Sequence, residues 1–254
     1  MAHVDYSGPM AEVYDAGRSL APAVVDVWAE AARRRLGERG STAWGHPLLD
    51  LGAGTGRFSD ALSTRIGVPV VALEPAPPMR DQARLRAGAL VRHVGGRAEH
   101  LPFGAATFSG VWASQVLHHV ADLERCAREL RRVLVPTGLV LVRGMLGPLG
   151  EQWPLAPYFP GAVEIAEERF PGLAEIAARF ASAGLALLAH DRITQVTAPD
   201  PQALVQRAAW RADSTLAMLA DDEFEAGLAH LQRAVDESDV EGPVIETLDL
   251  VVFG

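Results

Sequence analysis

With 254 residues, 49% of them hydrophobic, the chain has enough apolar mass for one large domain or a domain with a cap, and too little polarity for disorder. A net charge of −9 argues against a sequence-independent grip on nucleic acid. No apolar run reaches the ~18 residues that cross a bilayer, and MAHVDYSGPM lacks a secretory pattern, so a cytoplasmic location is expected.

In chain order, residues 10 to 36 read as helical, broken by one proline, with Val24, Val25, Val27 and Trp28 on an apolar stripe. A polar, Gly-rich connector follows, and a first strand is expected at about 47 to 51. A helix begins near Arg57, and VPVVALEP supplies a second strand over 68 to 75. LVRHVGG and FSGVWAS read as the third and fourth. The clearest helix runs from Asp122, a good N-cap, to Leu134, with Cys126, Ala127, Leu130 and Val133 on one face and arginines on the other. Pro136-Thr137-Gly138 is expected to end it, before a fully buried strand GLVLVRG. Strands alternating with helices at this spacing imply parallel pairing and right-handed crossovers.

After Gly144 the texture changes: residues 147 to 172 hold five prolines and the aromatics Trp153, Tyr158, Phe159 and Phe170. A helix from Leu173 to Ala183, a strand near 185 to 197, helices over 200 to 237 and a closing strand VIETLDLVVFG complete the reading. It divides the chain into an N-terminal helical cap segment (1–45), a core of alternating strands and helices (46–146), and cap insertions with two last strands of the same sheet (147–254).

The stretch LLDLGAGTGRFS places glycines at 52, 54 and 56 directly after the first strand, where a doubly wound sheet binds its ligands. A dinucleotide fingerprint needs its third glycine at 57, which is Arg57. The turn is therefore G-x-G-x-G behind Asp50, and Glu74 at the end of the second strand suits two ribose hydroxyls. These features fit an adenosine nucleoside without a pyrophosphate. The lone Cys126 provides neither a disulfide framework nor a metal cluster, and the absence of lysine excludes a Schiff-base lysine or a P-loop.

Taken in order, LDLGAGTG, VALEP, GRAEHLPF, FSGVWASQVLHHV and ELRRVLVPTGLVLVR resemble the class I S-adenosylmethionine-dependent methyltransferases, and most closely their small-molecule type 11, or UbiE-like, group. The resemblance covers about residues 46 to 144. It implies an α/β, Rossmann-like doubly wound sheet of seven strands with the last antiparallel, and S-adenosylmethionine as cofactor. It also implies roles. Asp50, Gly52, Ala53 and Gly54 would line the methionine and ribose, and Glu74 would hold the ribose. Pro75 and Met79 would flank the adenine, and the Ala98 N–H would reach it. Relatives carry aspartate where this chain has Arg97, which leaves Glu99 as the candidate partner of the adenine amino group. Ser114 and Gln115 would face the methionine moiety. Tyr14 and Arg18, four apart on one helix face, resemble a first helix that closes over the cofactor, with Arg18 on its carboxylate.

The chemistry left to such a protein is mostly positioning and desolvation. His118 and His119 follow the fourth strand and are the candidate bases, needed only where the acceptor must shed a proton early. Trp153, Tyr158, Phe159 and Trp210 are candidates for a mostly apolar acceptor pocket, with Arg207, Arg211 and Asp213 as polar handles. The leading expectation is methyl transfer to a small molecule in specialised metabolism, without metal, nucleic acid or membrane. The rivals are C-methylation with cyclisation, a non-methylating reaction on the same scaffold, and a non-catalytic binding subunit. The acceptor, the methylated atom and the oligomeric state are left open.

Overall fold

The computed structural model describes residues 17–38, 45–237 and 240–254. Tyr14 lies outside them. In chain order the elements are α1 (Pro22–Glu38), β1 (Leu48–Leu51), α2 (Ser59–Ile66), β2 (Val70–Leu73), α3 (Pro77–Arg84), β3 (Val91–Val94), β4 (Phe108–Ser114), α4 (Leu123–Val133) and β5 (Leu134–Gly144). Then come α5 (Leu149–Gln152), α6 (Pro160–Arg169), α7 (Leu173–Ser182), β6 (Leu187–Ala198), α8 (Pro201–Ala209), α9 (Asp221–Asp236) and β7 (Val244–Phe253).

The seven strands form one sheet in the order β3-β2-β1-β4-β5-β7-β6. β1 to β5 pair in parallel, and β7 lies antiparallel to β5 with Val140 opposite Phe253 and Gly144 opposite Asp249. The order reverses at β1, between β2 and β4, which is the switch point where such sheets receive ligands. This is the seven-stranded α/β fold with an antiparallel last strand that the sequence implies.

Two compact units make up the chain. The larger takes Ala21–Gly144, Pro171–Asp191 and Asp249–Gly254. β1 and β4 are buried nearly throughout, as befits central parallel strands covered on both faces. α1 belongs to this unit, whereas the sequence places its residues in the N-terminal cap segment. The reason is visible in its side chains. Trp28 and Leu36 are fully buried, and Leu36 fills the space that Gly110 of β4 leaves by having no Cβ. α4 buries Cys126, Ala127, Leu130 and Val133, and Asp122 caps it by accepting the Arg125 N–H at 2.8 Å. One boundary differs from the sequence expectation. Pro136-Thr137-Gly138 does not separate helix from strand: α4 passes straight into β5 at Leu134, which pairs with Phe108 ahead of a bulge.

Of the described residues, the smaller unit takes 17–20, Met145–Phe170 and the described part of Arg192–Leu248. It has its own core of Trp153, Phe159, Leu204, Leu216, Phe224 and Leu231, with the Phe159 and Phe224 rings stacked 5.9 Å apart. Among the described residues no helix is long and apolar enough to cross a membrane, and no group of His, Cys, Asp and Glu is placed to hold a metal ion.

Candidate functional site

The site is built at the carboxyl ends of β1, β2 and β4. Asp50 is the last-but-one residue of β1, fully enclosed, and its Oδ2 accepts the Ser59 hydroxyl at 2.6 Å from the first turn of α2. Burial, reinforced by the nearby Glu74 carboxylate and opposed by the Ser59 hydrogen bond, pushes its carboxyl up to about 7. The chain then turns through Gly52 and Gly54, both in the left-handed region at φ +65° and +56°. At Gly52 a second demand applies: a Cβ there would lie 2.2 Å from Cγ2 of Val116. At Gly54 a Cβ would meet nothing within 4 Å, so this backbone fronts open space. The Ala53 N–H donates to the Leu73 carbonyl at 3.0 Å and ties the turn to the end of β2.

Glu74 follows β2 and reaches back over that turn. Its Oε2 accepts the Gly54 N–H at 3.0 Å and its Oε1 the Ala76 N–H at 2.9 Å. Burial raises its pKa, with both backbone hydrogen bonds and Arg80 pulling the other way. Arg80 donates to the Glu74 and Pro75 carbonyls at 2.7 and 2.8 Å, fixing the strand-to-helix corner. A carboxylate offers about four acceptor positions. With one backbone donor on each oxygen, Glu74 retains capacity for two hydroxyls. Met79 on α3 is 2% exposed, whereas Pro75 is exposed.

Ala98 sits in a tight turn bridged between Arg97 and His100. The carboxylate of Glu99 accepts the Ala121 N–H at 3.0 Å, and Arg97 lies 3.9 Å from its other oxygen. Glu99 thus braces the loop before α4. At the end of β4, Gln115 takes φ +53°, rare for a residue with a side chain, and its N–H donates to the Arg143 carbonyl at 2.8 Å. His118 and His119 occupy a single 3-10 turn, both half-buried, with ring centroids 4.0 Å apart.

The structure therefore gathers Asp50, Gly52, Ala53, Gly54, Glu74, Met79, Ser114 and Gln115 around one switch point, and brings in three residues that sequence reasoning missed. Ser59 fixes Asp50, Val116 backs onto Gly52, and Arg143 closes β5 as a buried guanidinium. The signal for Arg143 was present as an arginine ending the apolar run GLVLV. Pro75, Ala98, Glu99, His118 and His119 also lie in the larger unit, and the candidates that follow belong to the smaller one. Arg18 is ion-paired with Asp213. Trp153 and Phe159 are packed within that unit's core, Tyr158 is half-buried edge-on to His230 at 5.2 Å, and Trp210 is 49% exposed. Arg207 donates to the Thr197 and Ser19 carbonyls, while Arg211 pairs with Asp221 at 2.6 Å.

An α/β sheet with a buried acid in β1 and a half-buried one after β2, set about a left-handed glycine turn, has the fold of the class I methyltransferases. Residues 49–142 match the profile of the methyltransferase domain, a family whose cofactor is S-adenosylmethionine. The chain is 38% identical to the malonyl-[acyl-carrier protein] O-methyltransferase of Serratia marcescens over 133 residues, 49% of this chain and 51% of that protein. The match thus spans about half the length of that relative. Among solved structures, a putative methyltransferase from an antibiotic biosynthesis pathway of Anabaena variabilis superposes with a TM-score of 0.66 at 24% identity, covering 83% of this chain and 91% of that one. The [4+2]-cyclase SpnF superposes with a TM-score of 0.57 at 19% identity, covering 88% and 79%.

The cofactor fits the residues present. Glu74 retains acceptor capacity beside a glycine that fronts open space, and a second acid lies one strand over. A sulfonium and an ammonium need acids, and a ribose needs acceptors.

Proposed function

We propose that the chain is an S-adenosylmethionine-dependent methyltransferase acting on a small, mostly apolar acceptor in specialised metabolism. The observation that carries the reading is Glu74, which holds the glycine turn by one backbone N–H per oxygen and keeps acceptor positions for a ribose. When bound, S-adenosylmethionine supplies both the electrophilic methyl group and its leaving group. Glu74 takes the two ribose hydroxyls, Met79 covers one adenine face with Pro75 beside it, and the Ala98 N–H meets the adenine edge. Asp50, with the Gly52–Gly54 backbone, lines the amino-acid end. Tyr158 and Trp210 are the aromatic candidates for the acceptor, because Trp153 and Phe159 are spent on the smaller unit's own core.

His118 and His119 shape the acceptor side, and positioning dominates. In that case His118→Gln and His119→Gln each lower turnover by less than about 10-fold. A loss of ~10²-fold or more in either, with cofactor affinity unchanged, would instead make that histidine a base and the acceptor a hydroxyl.

Calorimetry with S-adenosylhomocysteine and mass spectrometry of acceptor libraries test the reading together. Glu74→Gln should weaken binding by roughly 1.5–3 kcal/mol, because the amide puts N–H donors where acceptors are needed. Unchanged affinity removes the ribose assignment. Products one methyl group heavier support transfer. Tight cofactor binding with no methylated product from any acceptor would favour a non-methylating reaction, an outcome the cyclase fold keeps in view.

A further inference from the structure

Among the described residues of the larger unit, Arg143 is the arginine taken out of solvent, at 4% exposure, in the last-but-one position of β5. Its guanidinium carbon lies 4.5 Å from the Trp28 ring centroid and 5.2 Å from that of Phe58. Trp112 completes the aromatic wall, with centroids 5.4 Å from Phe58 and 6.5 Å from Trp28. Ring faces hold a cation there without neutralising it, and arginine does not lose its proton.

This cation is coupled to the end of β4 twice. The Arg143 carbonyl accepts the Gln115 N–H at 2.8 Å, holding the left-handed residue in place, and its Nη1 donates to the Ser114 Oγ at 3.2 Å. The second bond fixes a polarity. A serine hydroxyl has one proton and two acceptor sites. With the guanidinium on an acceptor site, the Ser114 proton can turn to another acceptor, and the adjacent positive charge makes it a better donor. The register puts Ser114 opposite Arg143, and Asp50 opposite Trp112 two residues earlier. Side chains two apart on a strand share a face, so Asp50, Ser114 and Arg143 lie on one side of the sheet. That side carries an acid on β1 and a cation-backed hydroxyl on β4.

We infer that Arg143 and Ser114 form a relay that recognises the carboxylate of the cofactor's amino-acid end, Ser114 donating to it and Arg143 positioning and polarising Ser114. The inference rests on the methyltransferase reading above. The zwitterionic end then meets a matched pair, its ammonium toward Asp50 and its carboxylate toward Ser114. Ligands are thereby sorted by whether they carry that carboxylate.

The test compares two probes by calorimetry on the full chain: S-adenosylhomocysteine, and methylthioadenosine, which keeps the nucleoside and sulfur but lacks the amino-acid end. Ser114→Ala and Arg143→Met should each weaken S-adenosylhomocysteine binding by about 10-fold or more while methylthioadenosine affinity changes by less than about 3-fold. The double variant should be little worse than the worse single one, because both act on one contact. A merely structural role for Arg143 predicts equal losses for both probes, and that result, or no loss in either variant, would overturn the relay. Should Arg143→Met fail to fold, Ser114→Ala, which removes only a hydroxyl, decides the matter with the same two probes. A wild-type chain that binds neither probe sinks the methyltransferase reading itself, a different outcome from binding both without discrimination.

Discussion

At Asp50, burial sets a carboxyl that would ordinarily ionise near 3.8 to about 7. The folded chain therefore holds a proton there that the unfolded chain has released, and the sign follows from linkage. The associated stability is fully present below the unfolded value and is lost as pH rises through about 7. Glu74 shifts in the same direction through burial and adds to the trend, opposed by its hydrogen bonds from the Ala76 and Gly54 N–H groups and by Arg80. A cationic ligand reverses the preference, since a sulfonium and an ammonium favour the ionised acid. Affinity for S-adenosylmethionine should therefore rise from about pH 6 to about pH 8 with release of a proton, measurable by calorimetry in buffers of different ionisation enthalpy. Asp50→Asn should flatten that profile. A wild-type affinity that is level across the range would remove Asp50 from contact with the ligand's charge.

At the scale of the element, the glycine turn is held by two independent constraints at one residue. Gly52 needs a positive φ, and its missing Cβ is the space that Val116 uses. Gly52→Ala should cost about 2–4 kcal/mol in chemical denaturation, from the left-handed backbone together with the overpacking, and should abolish cofactor binding. Gly37, exposed in α1 where an added Cβ would meet nothing within 4 Å, is the control, and Gly37→Ala should be neutral or stabilising by up to about 1 kcal/mol. The contrast also shows what sequence makes legible. β1, β2, β4 and the face of α4 were readable because burial follows period 2, unbroken apolar runs or period 3.6. The glycines and acids of the turn were readable because backbone geometry and ligand charge restrict residue type. The entry of β5 was not, since Pro136 and Gly138 suggest a break that pairing of Leu134 with Phe108 overrides. Nor were α5 and α6, hidden in a stretch whose five prolines mark helix starts and turns as readily as loops. Within the site, Ser59 and Arg143 escaped because their roles depend on contacts across strands and helices, which no local pattern encodes.

For the whole molecule, the two units differ in what holds them together. The larger is organised on parallel strands, the smaller on a cluster in which Phe159, 1% exposed, stacks on Phe224 and leaves no room for a Cβ at Gly227. Phe159→Ala should remove about 3–5 kcal/mol from that cluster. Native-state hydrogen exchange should then show lost protection in α6, α8 and α9, with β1, β2 and β4 little changed. Uniform loss across both units would mean that they unfold as one cooperative body.

The segments of the two units alternate along the chain, with crossings at Leu20/Ala21, Gly144/Met145, Phe170/Pro171, Asp191/Arg192 and Leu248/Asp249. Two of these fall inside β6 and β7 themselves. A protease nick at any one crossing therefore leaves the units joined by the others, and no single cut yields either as a fragment. Recombination is constrained in the same way. Exchanging the smaller unit between homologues requires residues 17–20, 145–170 and 192–248 to move together, with the last graft spliced in mid-strand and in register. A shuffled library cut at one point would mostly return chimaeras in which one unit is a mixture of two parents.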